Sequence, residues 1–101
     1  MYKLIALYPP PADPDHFRRY YEITHLPLAR TMPGLMASRH GFALEGLGAP
    51  SPWFCVWEGE FADRAAFEAA VASEAGRKTA ADVANYATGG VTLVHYETNE
   101  A

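Results

Sequence analysis

His25 is the side chain of this sequence whose type and position best suit acid–base chemistry. At 100° per residue it lies beside Tyr21 and Leu28, at the edge of the apolar stripe of a predicted helix. Pro27 follows two residues later and is expected to break or kink that helix near Ile23 to Leu26, because its ring clashes with an earlier carbonyl. An imidazole at such a break, facing a sheet, can serve as a general acid or base. The position also suits a histidine whose only role is a favourable interaction with the dipole at the C-terminus of the helix.

A set of tyrosines and tryptophans forms the second group of candidates. Aromatic side chains at strand or helix spacing usually belong to the core. Tyrosine and tryptophan also carry polar tips that need partners, so a ligand-lined cavity suits them better than a dry core. We expect Tyr21 or Tyr8 to donate a hydrogen bond beside His25. The predicted pocket walls are Tyr8, Phe17, Pro27, Leu28, Trp53 and Trp57.

Metal and haem sites find little support in the residue spacing. His16, His40 and His95 fall on separate predicted elements, and nothing in the spacing brings them together. A haem needs one axial ligand and an apolar slot, which His25 or His95 could supply. Cys55 lies in an apolar strand without a nearby base and is predicted to act as a small hydrophobic residue. We therefore predict no metal and no cofactor, with haem as the remaining option.

Length and composition exclude several classes of protein. The 101 residues fit one domain, residues 1–101, and half of them are hydrophobic, which excludes disorder. Eight Lys and Arg against 12 Asp and Glu give a net charge of −4 without a basic cluster, so nucleic acid is not an expected partner. The apolar run Leu4 to Tyr8 is too short to span a membrane or to form a signal sequence. These bounds predict a soluble cytoplasmic domain.

The elements that must position these side chains follow the order β-α-β-β-α-β. Apolar and aromatic runs bounded by proline and glycine predict the strands, and helical periodicity after Asp13 and Asp63 predicts the helices. Ser73 to Gly76 should interrupt the second helical segment, and Gly89-Gly90 should end it. The predicted strands are Tyr2 to Tyr8, Leu35 to Glu45, Trp53 to Phe61 and Val91 to Glu97.

This order predicts an α+β fold of the ferredoxin-like type, a four-stranded antiparallel sheet with helices on one face. A sheet of this kind should alternate apolar and polar side chains when its second face meets water. Here Trp53, Cys55 and Trp57 lie on one face of a strand while Phe54 and Val56 lie on the other. Apolar residues on both faces predict that the sheet packs against the sheet of an identical subunit. We expect a homodimer whose second subunit helps to build the walls of any pocket.

Several stretches together resemble the EthD family. They include the strand end Ala6-Leu7-Tyr8, the run Phe17-x-x-Tyr20-Tyr21 and the segment His25-Leu26-Pro27-Leu28-Ala29. Pro33-Gly34, the helix end Asp82-x-x-Asn85-Tyr86 and the closing Ala87-Thr88-Gly89-Gly90-Val91 are also similar. The resemblance covers nearly the whole chain, in order and without large gaps.

This resemblance implies a dimeric α+β barrel with a pocket between sheet and helices in each subunit, and it carries the family's pocket histidine to His25 and its proline to Pro27. EthD-like proteins are commonly described as oxidoreductases or reductases of degradation pathways. Barrels with the same fold include cofactor-independent monooxygenases, haem-degrading enzymes, and isomerases or lyases that act on small cyclic compounds.

We therefore expect a homodimeric, EthD-type oxidoreductase that acts on a small, largely apolar organic molecule in a degradation or secondary pathway. His25 would be the acid or base. A redox reaction needs an electron carrier, and the sequence has no nucleotide-binding motif. Either the substrate itself reacts with dioxygen or the carrier diffuses in. The alternatives are a non-catalytic binding protein, an isomerase or lyase, and a haem-binding barrel.

Overall fold

A computed structural model describes all residues, 1–101, and contains four strands with two helical segments between them. The first helical segment is α1, a π-helical turn and α2, and the second is α3, α4 and a 3-10 turn. The bounds are β1 Tyr2–Tyr8, α1 Pro14–Tyr20, the π turn Tyr21–His25, α2 Leu26–Ala29, β2 Ala37–Phe42, β3 Cys55–Phe61, α3 Arg64–Ala72, α4 Glu74–Asp82, the 3-10 turn Val83–Asn85 and β4 Thr92–Glu97.

The strands form one antiparallel sheet in the order β2-β3-β1-β4. The central strand β1 pairs Tyr2 with Phe61 of β3 on one side and with Glu97 of β4 on the other. Each helical segment therefore connects a central strand to an edge strand across one face of the sheet. This topology confirms the predicted ferredoxin-like fold.

Three predicted strands are shorter than expected. β2 was predicted over Leu35 to Glu45, but it ends at Phe42 because Ala43 takes a positive φ of 53°, which no strand continues through. β3 begins at Cys55 rather than Trp53, since the chain bends at Phe54, whose N–H still donates to the Tyr8 carbonyl at 2.8 Å. β4 begins at Thr92, one residue after the predicted start.

Pro27 does not break the first helical segment. The ring cannot donate a backbone hydrogen bond, and the helix accommodates it by widening into the π turn, in which the N–H of Leu26 donates to the carbonyl of Tyr21. The wider turn adds one residue and shifts the buried face. Phe17 and Tyr21 are followed on that face by His25 rather than by Thr24.

The second helical segment turns at a single residue, Ser73. Its Oγ accepts from the N–H of Gly76 at 3.0 Å and donates to the carbonyl of Ala70 at 2.6 Å, so one side chain ends α3 and begins α4. Gly76 permits this tight approach, because a Cβ there would lie 2.2 Å from the Ala70 carbonyl oxygen. The interruption predicted for Ser73 to Gly76 is confirmed.

The two faces of the sheet differ in their cover. Helix-facing residues of the central strands are buried in the main core except for the half-buried Leu4, with Phe61 and Cys55 at 0% exposure. The opposite face, here called the outer face, carries apolar residues beside an ion-paired group in which Lys3 bonds Glu58 at 3.1 Å. The apolar residues of the outer face are Ile5, Leu7, Val56, Val94 and Tyr96.

None of the helices has both the length and the hydropathy that crossing a membrane requires.

Candidate functional site

A cavity of about 180 Å³ lies between the sheet and the helices. Nine of its 12 lining residues are hydrophobic. Val71 and Leu93 are 40% and 58% exposed, so the cavity opens to solvent where α3 meets the edge strand β4. The lining residues are Leu4, Ala6, Trp57 and Leu93 from the sheet, and His25, Ala29, Met32, Val71, Gly76, Thr79, Ala80 and Val83 from the helical side.

His25 contributes the one titratable side chain of this wall. It is 4% exposed, and its Nδ1 lies 2.9 Å from Oδ2 of Asp82. Because a carboxylate only accepts, Nδ1 carries the proton and Nε2 keeps its lone pair. Nε2 makes no hydrogen bond within the chain, yet no buried side-chain nitrogen or oxygen lacks a partner, so Nε2 is reached from the cavity.

Asp82, the last residue of α4, is held by three donors. The Tyr20 hydroxyl donates to Oδ1 at 2.5 Å, the Asn85 amide donates to Oδ1 at 3.0 Å, and His25 donates to Oδ2. Burial alone would raise the pKa of Asp82, but these hydrogen bonds outweigh it and the pKa is lowered. Asp82 is therefore an ionised carboxylate that fixes the orientation of the imidazole.

Burial lowers the pKa of His25 below its usual value, and Asp82 opposes this shift only in part. The imidazole is therefore neutral at pH 7. A neutral, oriented imidazole with a free Nε2 at the wall of an apolar cavity has the properties of a general base.

Two tyrosine rings pack against the imidazole, and a third, Tyr8, packs against both of them. Tyr21 stacks on His25 with ring centroids 5.3 Å apart, and Tyr86 lies 4.6 Å from it. The Tyr8 and Tyr86 hydroxyls share a hydrogen bond of 2.8 Å. Burial raises the pKa of all three phenols, so they remain neutral and provide an uncharged setting for the histidine–aspartate pair.

The structure distributes the predicted site residues over three environments. His25 and Trp57 line the cavity, and Tyr21 touches it only through its contact with His25. Tyr8 and Phe17 lie behind the wall in a buried aromatic cluster. The ring centroid of Phe17 is 5.2 Å from that of Tyr8 and 5.0 Å from that of Tyr86.

The other three predicted pocket residues, Pro27, Leu28 and Trp53, are not among the residues that line the cavity. The π turn rotates α2, so Pro27 is exposed and Leu28 half-buried, while Ala29 takes the inward position. Trp53 precedes the bend before β3 and is half-buried outside the cavity.

Sequence reasoning assigned no role to Asp82 or Asn85. They occur in the helix end Asp82-x-x-Asn85-Tyr86, but they lie 57 or more residues from His25 along the chain, and no local periodicity links the two elements. Thr79 and Met32 were also missed as lining residues. Only the packing of α4 against the first helical segment brings these groups together.

The remaining histidines serve separate local contacts. His16 approaches the Asn85 carbonyl at 3.3 Å, His40 approaches Glu22 at 3.5 Å, and His95 bonds the Tyr2 hydroxyl at 2.7 Å. No group of three or more His, Cys, Asp or Glu side chains is arranged to hold a metal ion. Cys55 is buried, and burial raises its pKa to about 12, so the thiol is protonated at neutral pH.

The fold and cavity define a ferredoxin-like α+β protein with an apolar pocket between its sheet and its helices. The EthD domain model matches residues 9–90, and the chain belongs to the EthD family. It is 35% identical over 94 residues to an uncharacterised 11.0 kDa protein of Rhodococcus erythropolis from the thcB–thcC intergenic region, with 93% of this chain and 91% of that protein covered.

Solved structures show the same fold. The chain matches an ethyl tert-butyl ether D (EthD) family protein of Bacillus halodurans C-125 with a TM-score of 0.90 and 29% identity, over 98% of this chain and 99% of that one. A dimeric ferredoxin-like protein of unknown function from Thermobifida fusca matches with a TM-score of 0.71 and 22% identity, covering 96% and 90%. SnoaB, a cofactor-independent oxygenase of Streptomyces nogalater, matches with 0.68 and 13%, covering 99% and 94%.

Proposed function

We propose that this EthD family protein is an oxidoreductase of the cofactor-independent oxygenase type, acting on a small, largely apolar organic compound with His25 as the general base. The observation that carries the proposal is the His25–Asp82 pair, which leaves an unprotonated Nε2 at the wall of an apolar cavity. The likeness of fold to a cofactor-independent oxygenase adds support at the level of the class.

The proposed reaction draws its electrons from the substrate. His25 takes a proton from a phenol or from carbon beside a carbonyl, and the resulting anion forms a C–O bond with dioxygen. The proton returns to the peroxide, which loses water as the carbon becomes a carbonyl. For 1-naphthol the balance is C₁₀H₈O + O₂ → C₁₀H₆O₂ + H₂O, so four electrons pass from the ring to dioxygen and no further reductant is consumed.

The proposal includes a homodimer formed through the outer face. Val94 and Tyr96 are 45% and 48% exposed there, beside Ile5 of the central strand. A contiguous apolar surface on one side of a sheet is typical of a subunit contact. A ferredoxin-like structural neighbour is described as dimeric, which supports the same assembly.

An isomerase or lyase is the second candidate function, because a general base in an apolar pocket is sufficient for proton transfer on a small cyclic compound without oxygen. A haem-binding barrel has weaker support, since a cavity of about 180 Å³ lies below the roughly 300–1,000 Å³ of pockets for drug-sized ligands. A non-catalytic binding protein would use the same cavity without turnover.

The test measures dissolved oxygen and 1,4-naphthoquinone while the protein is incubated with 1-naphthol. We expect oxygen uptake and quinone formation above the rate in buffer. Loss of the general base in His25→Phe should slow the protein-dependent rate by about 100-fold or more. Phenylalanine keeps the aromatic stack on Tyr21, which makes His25→Phe the conservative choice.

His95→Phe is the matched control and should leave the rate unchanged, because His95 does not line the cavity and contacts Tyr2 and Phe67 rather than His25 or the donors of Asp82. Equal rates for the wild type and His25→Phe would refute His25 as the base. If 1-naphthol and other activated phenols bind but cause no oxygen uptake, the result would favour a binding protein. Proton exchange into a bound ketone without oxygen uptake would favour the isomerase.

A further inference from the structure

Three side chains that line the cavity carry polar atoms, and they differ in their free hydrogen-bonding capacity. They are His25, Thr79 and Trp57. The Thr79 hydroxyl donates to the Ala75 carbonyl at 2.8 Å, so its proton is in use and only its lone pairs remain. The Trp57 indole N–H makes no hydrogen bond within the chain, and the Trp57 ring belongs to the cavity lining.

The atom of the cavity wall that most restricts the choice of ligand is Nε2 of His25. Asp82 holds the proton on Nδ1, so Nε2 can only accept. When a ligand displaces water from the cavity, an acceptor left without a partner costs about 1–3 kcal/mol. A ligand therefore needs a hydrogen-bond donor at this position. Ether or ketone oxygens only accept hydrogen bonds and cannot supply one.

Charge narrows the class of ligand further. No lysine or arginine lines the cavity, and the Asp82 carboxylate lies directly behind His25. A carboxylate or phosphate ligand would be buried without a cation and close to a negative charge. Anionic metabolites are therefore unsuited to this pocket.

The volume of the cavity also limits the class of ligand. A cavity of about 150 Å³ is enough for a benzene ring, and this one measures about 180 Å³. The Trp57 indole packs over Gly59, where a Cβ would lie 2.3 Å from its Cη2, so the ring lies close against the sheet and forms an apolar wall of the cavity. One compact ring system fits this space.

We infer that the ligand of this site is a neutral, compact ring compound with one hydroxyl, a phenol or enol, whose O–H donates to Nε2 of His25. This inference rests on the proposed function, since it names the substrate class of the same pocket. It also selects an O–H, rather than a C–H beside a carbonyl, as the first proton that His25 receives.

The test compares three probes of nearly equal shape, which are 4-methylphenol, p-xylene and 4-methylbenzoate. Dissociation constants are measured by NMR titration at pH 7 for the wild type and for His25→Phe. We expect the preference for 4-methylphenol over p-xylene to be about tenfold greater in the wild type than in the variant. Comparing preferences within one protein removes the difference in hydrophobicity between the two probes. We expect 4-methylbenzoate to bind at least tenfold more weakly than 4-methylphenol.

A second measurement needs no variant. In uniformly ¹⁵N-labelled wild-type protein, 4-methylphenol should move the Nε2 resonance of His25 upfield, as an accepted hydrogen bond does, while p-xylene should leave it in place. This readout stands even if His25→Phe fails to fold.

The outcomes separate this inference from the proposed function. The preference for 4-methylphenol over p-xylene could be the same in the wild type and in His25→Phe, or 4-methylbenzoate could bind as well as 4-methylphenol. Either result would refute a ligand that donates a hydroxyl to His25, while an apolar binding pocket would stand. If neither ring compound binds at millimolar concentration, the inference and the proposed function both fall. If the hydroxyl preference appears without oxygen uptake from 1-naphthol, the ligand class stands and the oxygenase reaction does not.

Discussion

At the scale of single residues, the arrangement of Asp82 and His25 explains how an uncharged cavity can hold a base. Hydrogen bonds from Tyr20 and Asn85 keep the carboxylate ionised, and its other oxygen accepts a hydrogen bond from Nδ1 of the imidazole. The histidine is thereby oriented without being protonated, since burial lowers its pKa by more than Asp82 raises it.

Asp82→Asn should lower the pKa of His25 further, because the charge that raises it is removed and the hydrogen bond is weakened while burial remains. The variant should also lose about 1–3 kcal/mol of the free energy of unfolding through its weakened hydrogen bonds. Imidazole titration by NMR and urea unfolding measure the two effects. Asp13→Asn is the control, since Asn caps α1 as well as Asp and should change neither quantity. An unchanged His25 pKa in Asp82→Asn would contradict the assigned pair.

The lowered pKa of His25 makes stability depend on pH. Between the usual histidine pKa near 6.5 and the lower value in the fold, the unfolded chain binds more protons, so stability is full above about pH 6.5 and is lost as pH falls through the folded pKa. Urea unfolding from pH 8 to 5 should show a steeper loss in the wild type than in His25→Phe. Parallel curves would mean that His25 is not the group responsible.

At the scale of elements, two local irregularities position the site. The π turn places His25 on the buried face of the first helical segment, where a regular helix would place Thr24. In β3, Gly59 leaves room for the Trp57 indole to lie close against the sheet. Both features follow from one residue, Pro27 in the first case and Gly59 in the second.

Gly59→Ala should destabilise the fold by about 1–3 kcal/mol, because the new Cβ would lie 2.3 Å from Cη2 and 2.7 Å from Cζ3 of Trp57 and must displace the indole. Urea unfolding measures the loss. Gly41→Ala is the matched control, since Gly41 lies in the neighbouring strand β2 and a Cβ there meets nothing within 4 Å. Equal stabilities for the two variants would show that the indole has room to move.

At the scale of the whole molecule, the outer face and the cavity mouth both expose apolar side chains. All residues of β4 are exposed, and Leu93 on this strand borders the mouth while Val94 belongs to the outer face. Assembly through the outer face would therefore involve the same strand that borders the cavity.

Val94→Arg should convert the proposed dimer to a monomer, because the interface would have to bury a charged side chain in place of an apolar one. Native mass spectrometry of untagged protein measures the mass of the assembly. Ile23→Arg is the control, as Ile23 is 74% exposed on the π turn, away from the outer face, and should leave the dimer intact. A monomeric wild type would refute the dimer and the inference from apolar residues on both sheet faces.

The sequence by itself determined the order of the elements and the ferredoxin-like sheet, because strand and helix periodicity, proline and glycine positions and capping residues act over short stretches of chain. It also singled out His25, which the structure places at the cavity wall. The tertiary structure alone decided that Asp82 is the partner of His25 and that Pro27, Leu28 and Trp53 lie away from the cavity. The π turn changes which residues face inward by one position, and periodicity at 3.6 residues per turn does not register that shift. Contacts between residues 57 apart depend on how two helical segments pack on one sheet, which no local pattern encodes.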